Sequence, residues 1–318
     1  MSNSVPNKSS DNIALIALLG AGVLWGFMSV FVKWMSACGL TLQQMVLTRS
    51  LFAAIMLGSF LAVKNPSKLL VRIKDIWIFI GTGILSLFCF NLCYFYVIAH
   101  GYAAIGGVLL YTSPVFIIIL SALLFKEKIT TLKIAGLVLT LLGCFLVSGL
   151  LGSNQRLPLN ILLSGIGSGF FYALYSIFGK FAVKRYDALT ITFYTFVFCA
   201  IAIICMGELP GTLRAFKSVP RALLPCCGNA FFCALLPYFL YTWGLLRTTA
   251  GRAAILVAVE PIVCTILGIF IYKEPTSSLQ ITGIIAIMLA IILQCKSDQK
   301  NDAPKSVAVS SDSTDTTH

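Results

Sequence analysis

The chain has 318 residues, of which 58% are hydrophobic and 11% charged, far below the ~25% charged residues of an ordinary soluble domain. That balance excludes a soluble globular protein, and the net charge of +12 gathers at the ends of apolar runs, as topology determinants do, so it gives no case for nucleic-acid binding. The apolar runs are continuous rather than alternating, which excludes a β-barrel and predicts an all-α membrane protein.

In chain order, residues 1–12 are polar and are expected to form a disordered cytoplasmic N-terminus. Ten apolar runs follow, near 13–33, 43–63, 76–98, 104–125, 131–150, 159–181, 189–207, 221–243, 252–272 and 277–295, and residues 296–318 form a second polar terminus, expected to be disordered and cytoplasmic. The first run, Ile13 to Met35, exceeds the ~7–15 residues of a signal-peptide core. It also has a counterpart, Asn160 to Ala182, inside the mature chain, so it is read as an uncleaved span.

That counterpart belongs to a duplication. A constant offset of 147 positions places Tyr94 on Tyr241, Pro114 on Pro261, Lys126-Glu127 on Lys273-Glu274, Gly136 on Gly283 and Gly22 on Gly169, without a gap. Two similar halves around a shared interface are the predicted architecture, residues 13–150 and 159–295 with five helices each. Five is odd, so the second half enters the membrane inverted relative to the first. With the N-terminus inside, 16 of the 23 basic residues fall on the cytoplasmic side, in keeping with the positive-inside rule. Arg214, Lys217 and Arg221 disagree, and with Leu213 and Phe216 among them they are read as an interfacial amphipathic turn.

Small residues four apart, Gly22 with Gly26 and Gly165 with Gly169, are expected to let helix backbones approach closely. Polar groups deep in the runs are few. Glu260 sits mid-run, followed by Pro261, with no further charge before Lys273. A central carboxylate costs about 2.5 to 3.5 kcal/mol on insertion scales and needs a polar cavity or a partner. Pro261 cannot donate to the carbonyl of Val257, so the helix is weakened and an acceptor is freed. The expected role of Glu260 is to bind a substrate ammonium or a proton; the alternative is a neutral structural carboxyl.

Arg49 lies inside the second run and is expected to attract anions or pair with Glu260, against the alternative of snorkelling to outer headgroups. Lys33 and Lys180 occupy matching helix ends and are expected to snorkel. Asn91 with Tyr94, and Tyr238 with Tyr241, occupy matching i, i+3 positions, so each pair shares a helix face suited to an amphipathic cavity wall. Trp25, Tyr111, Tyr172, Tyr175 and Trp243 are expected to extend that wall, and Pro114 to break its helix one turn after Tyr111. Eleven cysteines lack metal-ligand spacing, and no catalytic triad, phosphate loop or metal motif occurs, so neither an enzyme nor a cofactor is expected.

Trp25-Gly26, Arg49, Pro114, Lys126-Glu127 and Gly136, with Glu260-Pro261, Glu274 and Gly283 in the second copy, together resemble the EamA repeat of the drug/metabolite transporter superfamily. The resemblance covers residues 13–295 and implies ten helices, cytoplasmic termini, a central cavity lined by the first, third and fourth helices of each half, and transport of amino acids or other small metabolites. The second copy departs from the first at Tyr172-Ala173 and at Phe196, opposite Arg49, so the halves are chemically unequal. The expectation is a secondary transporter of a bacterial inner membrane that works by alternating access, with a passive channel as the alternative and a membrane-embedded enzyme as a remoter one. Its partners are a small solute, a coupling proton if transport is coupled, the bilayer, and a second copy of the chain if it dimerises.

Overall fold

The computed structural model describes residues 8–100, 103–147, 158–272 and 277–301, and among them every regular element is helical. The first half comprises α1 (Lys8–Gly26), α2 (Met28–Ala37), α3 (Leu42–Lys64), α4 (Ile76–Ile80), a π-helical segment (Gly81–Phe88), α5 (Cys89–Ala99), α6 (Ala103–Leu110), α7 (Ser113–Phe125) and α8 (Thr131–Val147). The second half comprises α9 (Leu159–Ala182), α10 (Ala188–Cys205), α11 (Glu208–Ser218), α12 (Leu223–Gly228), a second π-helical segment (Asn229–Leu235), α13 (Leu236–Leu245), α14 (Ala250–Leu256), α15 (Glu260–Tyr272) and α16 (Ser278–Asn301). Helix α1 opens at Lys8 and α16 runs to Asn301, so helix reaches into both polar segments expected to be irregular. Lys273 and Glu274 lie outside the described residues.

Several of these helices join end to end. Among the described residues, eight stretches are long and apolar enough to cross a membrane, including Ile13–Ala37, Ile73–Val97, Pro220–Leu245 and Ala250–Ile271; Thr131–Val147 and Ser278–Leu293 are shorter apolar helices. The shorter two pack against each other at glycines. A Cβ on Gly143 would lie 2.8 Å from the carbonyl oxygen of Gly283, and one on Gly283 would lie 2.7 Å from that of Gly143.

The halves exchange equivalent contacts. Gly22 of α1 lies against Val257 and Val259, where the ninth run breaks, and its mate Gly169 lies against Leu109 and Thr112, where the fourth run breaks. Gly228 meets the ring of Phe31, and Gly81 meets that of Phe178, again 147 positions on. The close approaches expected at the paired glycines are therefore made across the two halves, at the helix interruptions. The two π-helical segments also occupy matching places.

The basic exception is a helix rather than a turn. In α11, Leu209 packs on the main core and Phe216 stacks on Phe52 with ring centroids 6.0 Å apart, while Arg214 and Lys217 stay exposed. Eleven residues give three turns, enough to sort apolar from basic side chains onto separate faces.

At the other end, the segment after α3 is held to the turn before α10. Asp75 accepts from Arg185 and from the Tyr186 hydroxyl, and Lys68 pairs with Asp187 at 2.9 Å. Asp187 also caps α10 by accepting from the Thr190 amide at 2.9 Å. Burial raises the Asp187 pKa, but the Thr190 amide and the Lys68 ammonium outweigh it and hold the carboxyl below its ordinary value. A carboxyl lowered in the folded state contributes fully above its unfolded pKa, about 3.9, and loses that contribution as pH falls through the lower folded value. We predict that Asp187→Ala costs about 0.5–2 kcal/mol of stability at neutral pH. Thermal unfolding of the purified protein should show the gap to wild type closing below pH 4; a gap that persists there would assign the loss to packing instead.

Candidate functional site

A cavity of about 220 Å³ lies between the halves. Trp25 and Gly26 of α1, Met28, Ser29 and Val32 of α2, Leu42, Met45, Val46 and Arg49 of α3, and Phe90, Asn91, Tyr94 and Phe95 of α5 supply the first-half wall; the second half supplies Asn229, Glu260 and Cys264. Polar groups are thus few and sit in an aromatic and sulfur-rich surround, the usual composition of a small-molecule site.

Local backbone chemistry places Glu260. Helix α14 gives way to a 3-10 turn at Val257–Val259, and α15 restarts at Glu260 with Pro261 in its first turn. Gly26 lets α1 approach this restart: a Cβ there would lie 2.6 Å from Val263 and 3.0 Å from the Glu260 carbonyl oxygen. The fourth run is interrupted likewise, α6 ending at Leu110 and α7 opening at Ser113 with Pro114 in its first turn. Tyr111 lies in that interruption, and its hydroxyl comes close to the Glu260 carboxylate from the other half.

Arg49 is only 6% exposed, so it does not snorkel. Its Nη1 donates to Met28 Sδ at 3.1 Å, while Nε and Nη2 have no partner among the described residues. It and Glu260 line the same cavity, yet the ion pairs among the described residues do not join them. Asn91 is buried and donates from Nδ2 to the Leu87 carbonyl at 2.5 Å, within the π-helical segment.

The four residues expected as paired walls divide. Asn91 and Tyr94 line the cavity, whereas Tyr238 and Tyr241 lie behind Trp25, with ring centroids 5.3 and 5.6 Å from it. Their shared face is turned to α9, where the Tyr241 hydroxyl bonds Ser176 at 2.7 Å and Tyr175, beside Tyr238, bonds Thr242 at 2.6 Å. Tyr172 packs on the same side of Trp25. These rings back the Trp25 wall of the cavity.

Lys180 departs from its expected snorkelling. Half-buried, it donates to the carbonyls of Leu245 and Thr248 at the end of α13, satisfying acceptors that the helix leaves open. Lys33 is exposed, as a snorkelling residue would be. Nearby, Lys126 ends α7 in a left-handed conformation, φ 56°, and the next residue, Glu127, accepts from the Ala250 amide at the start of α14. The first half thereby caps a helix of the second.

Asn229, Met28 and Ser29 line the site although their residue types did not single them out. Asn229 carried a signal: it is a lone carboxamide in an apolar run, matching Thr82 in the first half.

A sequence model described as the EamA-like transporter family matches residues 12–149 and 159–294. The chain belongs to the EamA-like transporter family. Relatives of this EamA-like transporter include "Uncharacterized transporter sll1319" of Synechocystis sp., 28% identical over 72% of this chain and 69% of the relative. "Uncharacterized transporter YyaM" of Bacillus subtilis is 23% identical over 76% of this chain and 80% of its own. An uncharacterized transporter of Archaeoglobus fulgidus is 23% identical over 82% and 90%. A solved structure described only as the crystal structure of a protein superposes with a TM-score of 0.74 over 91% of this chain and 98% of its own, at 15% identity, and shows a shared fold. With eight helices of membrane-crossing length among the described residues, this EamA-like transporter is an integral membrane protein whose partners are the bilayer and a small solute.

Proposed function

We propose that the chain is a secondary transporter that moves a small metabolite, an amino acid or derivative, by alternating access at the cavity between its halves. Glu260 carries the reading. A carboxyl on a restarted helix, close to Tyr111 of the other half and set in the wall of a cavity with few polar groups, suits a solute ammonium or a coupling proton better than a structural role. The reciprocal contacts at Gly22 and Gly169 support two inverted five-helix repeats, ten membrane helices in all, that rock about the interruptions. We place both termini in the cytoplasm and the protein in a bacterial inner membrane, from the loop charges. In that topology Val32 and Leu42 lie on the outer side of the cavity and Trp25 on its inner side.

Counterflow tests the carrier reading. Proteoliposomes preloaded with unlabelled amino acid should take up the external labelled one faster than empty-loaded vesicles. Uptake without that acceleration, saturating no better than diffusion, would point to a passive channel and overturn the proposal.

A further inference from the structure

We infer that Arg49 and Asn229 form a carboxylate subsite, making the cavity one for small apolar acids that carry an N–H or O–H beside the carboxylate. The inference deepens the transport reading and depends on it only for the translocation of a bound acid, not for its binding.

A guanidinium offers five donors in a fixed fork. In Arg49 one nitrogen, Nη1, is committed to Met28 Sδ, a weak acceptor. Nε and Nη2 remain without a partner among the described residues, and they form one edge of the fork, with parallel N–H bonds spaced for the two oxygens of a carboxylate. A buried guanidinium with its pairing edge unused is unfavourable in an apolar interior unless a ligand supplies the acceptors. A single guanidinium sharing its cavity with Glu260 suits one negative charge better than a phosphate dianion.

Asn229 supplies the second requirement. It is 2% exposed, lines the same cavity, and its Oδ1 accepts no hydrogen bond from the described residues. An unused acceptor calls for a donor on the ligand. Its mate in the first half is closed off: Thr82 accepts from the Thr195 hydroxyl at 2.8 Å and donates to the Phe79 carbonyl at 3.2 Å. The same position is therefore structural in one half and open in the other. Asn229 also begins a π-helical segment, an irregularity that recurs at functional sites. Met28, Met45, Phe90 and Phe95 leave apolar surface for the rest of the ligand.

The test uses the full chain in nanodiscs and ligand-induced thermal stabilisation along the leucine skeleton: leucine, 2-hydroxy-4-methylpentanoate, 4-methylpentanoate, leucinamide and 3-methylbutylamine, with the matching methionine and phenylalanine series. The acids with a donor should bind best on at least one skeleton. Loss of the donor should weaken binding about tenfold, and loss of the carboxylate about a hundredfold, as expected for neutral and charge-assisted hydrogen bonds. Arg49→Lys keeps the charge without the edge and should weaken the acids by at least about tenfold. Asn229→Leu should erase the preference for the hydroxy acid over the plain acid while the acid is still preferred to the amide. Amides or amines that stabilise as well as the acids, an Arg49→Lys variant with unchanged acid affinity, or no stabilisation by any acid would each overturn the subsite. The expected series without counterflow would defeat the transport reading and leave the subsite standing; counterflow with a flat series would do the reverse.

Discussion

Glu260→Gln is expected to reduce transport in proteoliposomes to the level of protein-free vesicles, or to leave only uncoupled exchange, without loss of thermal stability. The amide has the shape of the carboxyl and leaves an oxygen acceptor near the Tyr111 hydroxyl, but it neither holds a negative charge nor carries a proton. A charge at mid-membrane depth opposes folding by about 2.5 to 3.5 kcal/mol on insertion scales, so its removal should leave the unfolding temperature unchanged or raise it. A structural glutamate predicts the opposite pattern, intact flux with reduced stability. The two measurements together therefore discriminate between the readings.

The driving force sets the size of the effect. One charge crossing a potential of 100 mV is worth about 2.3 kcal/mol, or roughly a forty-fold accumulation ratio. If Glu260 carries the coupling proton, accumulation in the glutamine variant should collapse to equilibration. Glu260→Asp retains the carboxyl on a shorter arm and should recover part of the flux. Tyr111→Phe removes only the hydroxyl near that carboxyl and should have a smaller effect than the glutamine substitution. Wild-type flux with a wild-type response to pH in Glu260→Gln would remove the carboxyl from the mechanism.

The duplication, the apolar runs and both interruptions were legible because each leaves a mark along the chain. A proline two residues into α7 or α15 removes a donor wherever the helix lies, so the breaks at Leu110 and Val257 follow from Pro114 and Pro261 alone. What the chain does not write down is the direction in which a helix face is turned. The i, i+3 spacing joins Tyr238 to Tyr241 as surely as Asn91 to Tyr94, but in a membrane helix apolar all round no amphipathic stripe says which face is inward. The first pair meets Trp25 and α9, and the second meets the cavity. The π-helical segments were invisible for a related reason, since a changed hydrogen-bond register requires no particular residue. Lys180 shows the limit of local rules at helix ends. Snorkelling assumes lipid beside the side chain, whereas the carbonyls of Leu245 and Thr248 lie there.

Gly22→Ala is expected to lower stability by about 1–3 kcal/mol, the usual range for overpacking, and to cut transport, while Gly20→Ala, half a turn away, is expected to do neither. A methyl on Gly22 would lie 2.6 Å from Val259 and 2.7 Å from the carbonyl oxygen of Val257, whereas one on Gly20 would lie 3.7 Å from Leu240. The carbonyl belongs to the interruption itself, so it cannot swing aside as a side-chain tip would. Relief requires α1 to separate from the 3-10 turn that leads into Glu260, and the carboxyl moves with that turn. Its counterpart, Gly169→Ala, presses on the Leu109 carbonyl oxygen at 3.0 Å, beside the turn that carries Tyr111. The two substitutions therefore disturb opposite sides of the approach between Tyr111 and Glu260. Thermal unfolding and counterflow on the three variants should separate Gly22 and Gly169 from Gly20; equal behaviour of all three would mean that the halves do not meet through these glycines, and the reciprocal interface would fall with them.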